Sequence, residues 1–437
     1  MERTDDIFEM TSNATGGAGR PATAGTRAAG DDATAHESPF ETTADESPFE
    51  ANAHESAFAS RRRVRVLIVA PSLGILGGQA VQAARLRERL GAEPSLDVSF
   101  LPINPQLPGL LGRLQGIKYV RTVLTSLAYV ALLLWRVRAY DVIHVFSASY
   151  FSFVLAPTPA ILVAKLYGKR VVLNYRSGEA EDHLRRWRRT AIPTVRLADA
   201  VAVPSGYLVE VFARFGLGAR SIYNFVDTSR FRFRPRRPLR PVFFSNRNLE
   251  PLYNVGCTLR AFRIIQQRFP EATLTVAGDG SQRAELEQLA RELDLKRTTF
   301  IGRVEQSRMH ELCECADIYL NSSDIDNMPG SLIESYAAGL PVVTTDAGGI
   351  PHILTHEETG LMVRRGDYEA LAACAIRLLE DGALAESITS NALAACRRYS
   401  WEAVREEWLR LYFELAHEDL RALPAALPSR AESKTNA

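Results

Sequence analysis

Two carboxylates eight positions apart, Asp326 and Glu334, stand within residues 322–350, SSDIDNMPGSLIESYAAGLPVVTTDAGGI. The stretch reads as a loop, a helix, a buried strand and a glycine turn, with Asp326 in the loop and Glu334 in the first turns of the helix. Pro329 and Gly330 precede that helix, Ser331 can cap it, and Gly339 and Pro341 end it. The first N–H groups of such a helix, around Gly330, Ser331 and Leu332, have no partner inside it and carry the positive end of its dipole, so they can hold a phosphate oxygen. A carboxylate cannot pair with phosphate, and Glu334 beside it suits the hydroxyls of a sugar. The spacing fits a phosphate that carries a sugar at one end and a ribose at the other. Taken alone, Glu334 equally fits an acid that stabilises a helix N-terminus. Asp324-Ile325-Asp326 also has the form of a carboxylate pair that binds a divalent cation with a diphosphate.

Such residues need elements to aim them. Strand patterns at 63–70, 97–103, 141–146, 170–175, 200–204 and 221–224 alternate with helical ones, notably 79–90, 117–138, 153–167 and 207–215. A proline- and arginine-rich segment, RFRFRPRRPLRP at 230–241, interrupts the rhythm and reads as a linker. A second alternating set follows, with strands at 241–245, 273–277, 299–301, 317–321 and 341–345 and a final long helix at 401–420. The expected fold is α/β: two Rossmann-like doubly wound domains, 61–229 and 242–400, facing a cleft. Such domains bind ligands at the carboxyl ends of their strands. Residues 1–60 and 424–437 are expected to be disordered tails.

This set of motifs resembles the donor-binding segment of retaining glycosyltransferases of family four, which have the two-domain GT-B fold. That family reads acid, seven residues, Glu, a small-residue helix, Gly-x-Pro-Val-Val and a Gly-Gly turn; here these are Asp326, Glu334, Gly339, Pro341–Val343 and Gly348-Gly349. The resemblance runs from Arg63 to Leu420. It implies transfer of a sugar from a nucleotide-diphosphate donor, with Glu334 on the ribose, the N–H groups of Gly330–Leu332 on the diphosphate, and Asp326 near the transferred sugar. It implies no cofactor and no metal, because cationic side chains and a helix dipole stabilise the leaving diphosphate instead. By the same analogy the acceptor hydroxyl is deprotonated by the departing diphosphate on the front face of the sugar, which retains configuration.

Three departures stand out. The family's first acid is usually Glu, and here it is Asp326. After the 241–245 strand Arg247 matches a diphosphate cation, but Tyr253-Asn254 occupies the place of the usual Lys-Gly, and Arg303 beside Val304 and the arginines of the 230–241 linker are candidates to compensate. After the 170–175 strand Tyr175-Arg176 stands where relatives have a His, which makes Tyr175, Arg176 and Glu179 acceptor-side candidates; His144, in the 141–146 strand, reads either as a further cleft candidate or as a buried, structurally satisfied His. The glycine loop Gly74-Ile-Leu-Gly77-Gly78 after the first strand is by itself a tight turn; in the family its Gly-Gly approaches the donor phosphate.

Composition bounds the remaining readings. The chain has 437 residues, 46% hydrophobic and 24% charged, an ordinary soluble composition. Its net charge of +1 hides an acidic segment, since residues 1–60 hold twelve acids and three arginines. A basic remainder suits phosphorylated ligands or an anionic membrane surface, not nucleic acid. Five cysteines without a paired CxxC fit a reduced, cytoplasmic setting, and the polar start predicts no signal peptide. The apolar run TVLTSLAYVALLLW at 122–135 is shorter than the roughly twenty residues that span a bilayer, and reads as a helix packed on a sheet or one in shallow membrane contact. Arg185-Arg-Trp-Arg-Arg189 suits either a solvated face or an anionic interface, so the enzyme is expected in the cytoplasm or peripheral at the inner face of a membrane. The repeats Glu37-Ser-Pro-Phe40, Glu46-Ser-Pro-Phe49 and Glu55-Ser-Ala-Phe58 have the form either of partner-docking peptides or of a recent duplication without function. Two rival readings follow: a two-domain oxidoreductase, weakened because Gly278-Asp-Gly280 lacks a third glycine, and a non-catalytic scaffold that kept the fold.

Overall fold

The computed structural model describes residues 63–72, 78–147 and 149–416, apart from the side chains at 110, 111, 118 and 119. The Phe repeats, Gly77 and the tail after Pro424 lie outside these residues.

Two six-stranded sheets, parallel throughout, form the body. The first has the order β2-β1-β3-β4-β5-β6, from β1 (Val64–Ala70), β2 (Leu96–Pro102), β3 (Val142–Phe146), β4 (Arg170–Asn174), β5 (Ala200–Val203) and β6 (Arg220–Ser221). The second has the order β12-β11-β10-β7-β8-β9, from β7 (Val242–Asn246), β8 (Thr273–Ala277), β9 (Thr298–Gly302), β10 (Ile318–Asn321), β11 (Val342–Thr345) and β12 (Leu361–Val363). Helices cover both faces, so the central strands are apolar on both sides: β1 is buried at every position but Arg65. The expected doubly wound pair is present. Strand order reverses between β1 and β3 in one sheet and between β7 and β10 in the other, and there the loops splay apart to leave a crevice.

One face of the first sheet packs Leu67, Ile143, Val171 and Leu173 against helices that include Lys118–Arg136 and Pro157–Leu166. The opposite face carries Val66, Ile68 and Val172 and is covered by helix Gly78–Gly91 and by the last helix, Trp401–Ala416, through Trp408 and Tyr412. The chain thus crosses back to its first sheet at its C-terminal end.

The structure differs from expectation in places. The 153–167 helix is two helices, Phe151–Leu155 and Pro157–Leu166, because Pro157 has no N–H to continue the first and starts the second. Arg234 and Arg240 clasp Asp317, which stands just before β10, at 2.6 and 2.9 Å. Arg236 is buried and donates to the carbonyls of Cys313, Ala316 and Ala338. The expected linker is therefore anchored to the second sheet. Arg185 and Arg186 pair with Glu181 and Asp182 one turn earlier, and Trp187 packs on the first core. All five cysteines are unpaired.

Candidate active site

The reversal in the second sheet brings the loop after β7 against the loop after β10, which places Arg247 beside Asp326. The Arg247 guanidinium pairs with the Asp326 carboxylate, and the two side chains are 12% and 10% exposed. Burial opposes the charge on Arg247, but Asp326, Tyr253 and Tyr319 together raise the Arg247 pKa. Burial likewise raises the Asp326 pKa although Arg247 sits alongside. The pair is rigidly mounted. Asp324 and Ile325 donate their N–H groups to Leu252 O at 3.0 and 3.1 Å. Gly349 N–H donates to Asp326 O at 3.1 Å, and a Cβ on Gly349 would lie 1.8 Å from Asn327 O, so no larger residue fits that turn unless the Asp326 loop moves.

Tyr253, at the place of the usual Lys, packs against Arg247. Its ring lies beneath Arg247, 4.3 Å from guanidinium carbon to ring centroid. A cation–π contact at this depth holds the guanidinium in place without adding charge. Asn254 adopts the left-handed conformation, φ 42° and ψ 47°, that the usual Gly would supply, and its side chain accepts from Cys257 N–H to start helix Val255–Arg268.

Helix Gly330–Ala338 points its N-terminus at this pair, but Ser331 does not cap it. The cap position is Pro329, and Ser331 Oγ lies inside the helix, where it accepts from Tyr319 O–H at 2.9 Å and Arg247 Nη1 at 3.4 Å. Glu334 is buried one turn on. Arg85 Nη2 and Gln306 Nε2 donate to the same oxygen, Oε1, at 3.3 and 2.8 Å. Neither donor was visible in the sequence: Arg85 lies in an ordinary amphipathic helix of the other sheet, and Gln306 in a polar turn. A cavity of about 770 Å³ here is lined by Arg85, Arg247, Arg303, Val304, Gln306 and Glu334.

A second cavity of about 610 Å³ adjoins it, sharing Gly78, Asn246 and Arg247, and reaches the loops after β1, β3 and β4. Arg176 and Glu179 line it. Arg176 donates to Asn174 Oδ1 at 3.0 Å, and burial lowers its pKa to about 9. Glu179 accepts from Tyr150 O–H at 3.3 Å. Tyr150 has φ +54°, rare for a bulky residue, and its hydroxyl also donates to Asp182 at 2.7 Å. Among the described residues, four buried polar atoms of residues lining this cavity have no partner: Asn224 Oδ1, Asn246 Oδ1, Asn327 Nδ2 and Arg247 Nε.

Two acceptor-side candidates are corrected. His144 is fully buried on the far face of the first sheet. Its Nδ1 meets Tyr412 Oη at 2.6 Å, its Nε2 accepts from Asn174 at 2.9 Å, and its ring stacks on Trp408. Tyr175 is also fully buried, with its hydroxyl 2.7 Å from His183 Nδ1. They lie on opposite faces of the sheet, His144 under the last helix and Tyr175 in the other core, and neither lines the two cavities. Among the described residues no three His, Cys, Asp or Glu side chains converge as metal ligands.

Paired parallel sheets with a cationic crevice at the second reversal define a GT-B-type glycosyltransferase fold. The family model "Glycosyl transferases group 1" matches residues 227–394, and "Glycosyltransferase Family 4" matches residues 60–230. The chain belongs to the group 1 glycosyltransferases of the GT-B fold. A phosphatidyl-myo-inositol mannosyltransferase of Mycolicibacterium smegmatis is 26% identical over 58% of this chain, and the match spans 60% of that protein. A glycogen synthase of Mycobacterium tuberculosis is 27% identical over 63% of the chain and 72% of its own length. Among solved structures, the Anabaena HepE protein in complex with UDP and glucose superposes with a TM-score of 0.63 at 21% identity, covering 80% of this chain and 99% of that one. A sucrose-phosphate synthase from Thermosynechococcus elongatus gives 0.64 at 20% identity, covering 81% and 99%.

Proposed function

We propose that the protein transfers a hexosyl unit from a nucleotide-diphosphate sugar to a hydroxyl of a glycan or lipid-linked acceptor, with retention of configuration and without a metal ion. The observation that carries this reading is the set of unpartnered atoms on Asn224, Asn246, Asn327 and Arg247 around one cavity beside the pinned cation. Buried polar groups without partners are costly and rare, and their gathering on residues that line one cavity fits a polyhydroxylated, phosphate-bearing ligand that packs against them. Arg247 and the N-terminus of helix Gly330–Ala338 stabilise the leaving diphosphate, and Glu334 accepts from the ribose through Oε2, since both of its described hydrogen bonds fall on Oε1. Asp326, committed to Arg247, serves as a mount and a sugar contact rather than a nucleophile. The bond from the anomeric carbon to the β-phosphate oxygen breaks as the bond to the acceptor oxygen forms on the same face. The acceptor proton passes to the departing phosphate. The names of two relatives, one joining mannose transfer to phosphatidyl-myo-inositol and one a glycogen synthase, support a lipid or polysaccharide acceptor. A cytoplasmic enzyme working at the membrane's inner face suits the former.

The test is a thermal-shift panel of UDP-, GDP- and ADP-sugars with Glu334→Ala as control, followed by NMR of the product anomer in EDTA. One nucleotide series should stabilise the parent and not the variant, and the product should keep its configuration. An inverted product overturns the front-face mechanism. Stabilisation by no donor favours a scaffold that kept the fold without the chemistry.

A further inference from the structure

Helix Lys118–Arg136 touches the first sheet along a narrow line. Tyr129 and Leu133 are buried there with Val137 just beyond, and Tyr129 O–H donates to Ala156 O at 2.9 Å. On another side of the helix Val120, Val123, Leu127 and Leu134 form one exposed stripe at helical spacing, with Leu127 65% exposed and the neighbouring Trp135 73% exposed. Helix Pro157–Leu166 packs on the same sheet face and adds Leu162 and Leu166, one turn apart and 51% and 72% exposed. The two helices lie side by side in the same direction: Tyr129 meets Ala156 at the start of the second, and Arg138 lies 5.1 Å over the Tyr167 ring at its end. A soluble monomer rarely leaves such a set of large apolar side chains together on its surface.

The charge around this face is one-sided. From residue 98 to 178 the only acid is Asp141, which pairs with Arg65, against nine lysines and arginines, of which Lys165 and Arg170 pair with Asp199 and Arg176 lines the cleft. Arg113, Arg121 and Arg138 are exposed along the stretch.

We propose that this face docks on an anionic lipid bilayer, with helix Lys118–Arg136 lying in the interface. The proposal deepens the membrane-peripheral reading above and rests on it for its purpose. Residues Val120–Ala139 are long and apolar enough to cross a membrane, but Tyr129, Leu133 and Val137 belong to the core of the first sheet, so crossing would strip that core. A second copy of the chain fits less well, because a two-fold interface sets this basic face against another basic face. Lipid phosphates instead complement a surface rich in arginine and poor in acids. The helix connects the end of β2 to the start of β3 in a parallel sheet, so it begins at the carboxyl edge, where Ile103 lines the cleft. Docking therefore brings the acceptor side of the cleft to the lipid headgroups.

The experiment is cosedimentation of the full chain with vesicles of phosphatidylcholine alone or mixed equally with phosphatidylglycerol, with donor thermal shifts measured in parallel. Binding to the anionic vesicles only is expected. Arg121→Glu with Arg138→Glu should weaken it by more than an order of magnitude, since each surface cation contributes about five-fold. Val123→Glu with Leu127→Glu should abolish it, and Leu162→Glu with Leu166→Glu, on the other helix, should weaken it without disturbing the first. All three pairs should keep the parent's melting temperature and donor shift. Failure of the parent to sediment, equal sedimentation by the variants, or a dimer in light scattering that Val123→Glu with Leu127→Glu dissociates would each overturn the docking. Vesicle binding without any donor shift would sink the catalytic reading and leave the docking standing.

Discussion

Arg85 and Glu334 meet across the cleft, Nη2 to Oε1 at 3.3 Å, with side chains 15% and 7% exposed. One residue belongs to the first described helix of the chain and the other to the helix that faces the donor cavity, so the ion pair ties the two sheets together at the site itself. Gln306 donates to the same oxygen at 2.8 Å, which fixes the carboxylate before any ligand arrives. A pre-oriented acceptor loses little freedom on binding.

Glu334→Gln should therefore act on donor binding more than on turnover. Hydrogen bonds to a charged group contribute about 1.5–3 kcal/mol, so the donor KM should rise on the order of ten- to a hundred-fold. Arg85→Ala leaves the carboxylate but frees its orientation, and should raise KM by less than Glu334→Gln does. Initial-rate kinetics on the matched donor would show this; an unchanged KM in Glu334→Gln removes Glu334 from the ribose.

The Arg247–Asp326 pair separates chemistry from stability. Arg247→Ala should lower kcat by about 10²–10³, the usual loss for one electrostatic stabiliser of a developing charge. It should also cost about 3–5 kcal/mol of stability, because Asp326 is left buried without its partner. Adding Asp326→Asn should restore the melting temperature and leave the rate low. A double variant that recovers the rate would show that Arg247 serves only to neutralise Asp326.

Tyr253 acts through its ring. Tyr253→Phe should stay close to the parent in kcat. Tyr253→Ala removes the face beneath Arg247 and a contact of about 0.5–2 kcal/mol, so kcat should fall several-fold. A Phe variant as slow as the Ala variant would shift the role to the hydroxyl.

Much of this arrangement was legible in the chain. The alternation of apolar strands and amphipathic helices defines two doubly wound sheets, and β8 falls where its pattern predicts, at Thr273–Ala277. The grouping of Asp326, Glu334 and Gly348-Gly349 follows from one contiguous stretch. Contacts between distant segments were out of reach. Arg85 is 249 positions from Glu334, and nothing in its helix marks it among the other arginines. The Tyr253 substitution reads as a lost cation until the fold lays its ring under Arg247. His144 was misplaced because strand alternation gives two faces without saying which one a C-terminal helix covers, and Tyr175, on the opposite face, because nothing in the chain shows that His183 and the first core enclose it. The three-residue β12 is too short to carry a period.

His144 gives a pH dependence. Burial lowers its pKa from 6.5 to about 3, with Arg176 adding in the same direction. The unfolded chain binds a proton below about 6.5 that the native state refuses until about 3, so stability falls as pH drops through that window. The slope is about 1.4 kcal/mol per pH unit, or roughly 2 kcal/mol lost by pH 5. Denaturant melts at pH 7 and pH 5 should show it. His144→Gln should be less stable at pH 7 but flatter with pH; an equally steep variant would assign the effect to other groups.

The return of helix Trp401–Ala416 to the first sheet has a consequence for biosynthesis. Its residues Trp408, Leu411 and Tyr412 share a core with β1, among the first described residues of the chain. A ribosome must release more than three hundred residues after β1 before that core can close. The first sheet therefore waits, half-covered, through synthesis of the second, and the nascent chain carries its greatest exposure to chaperones and to misassociation over that interval.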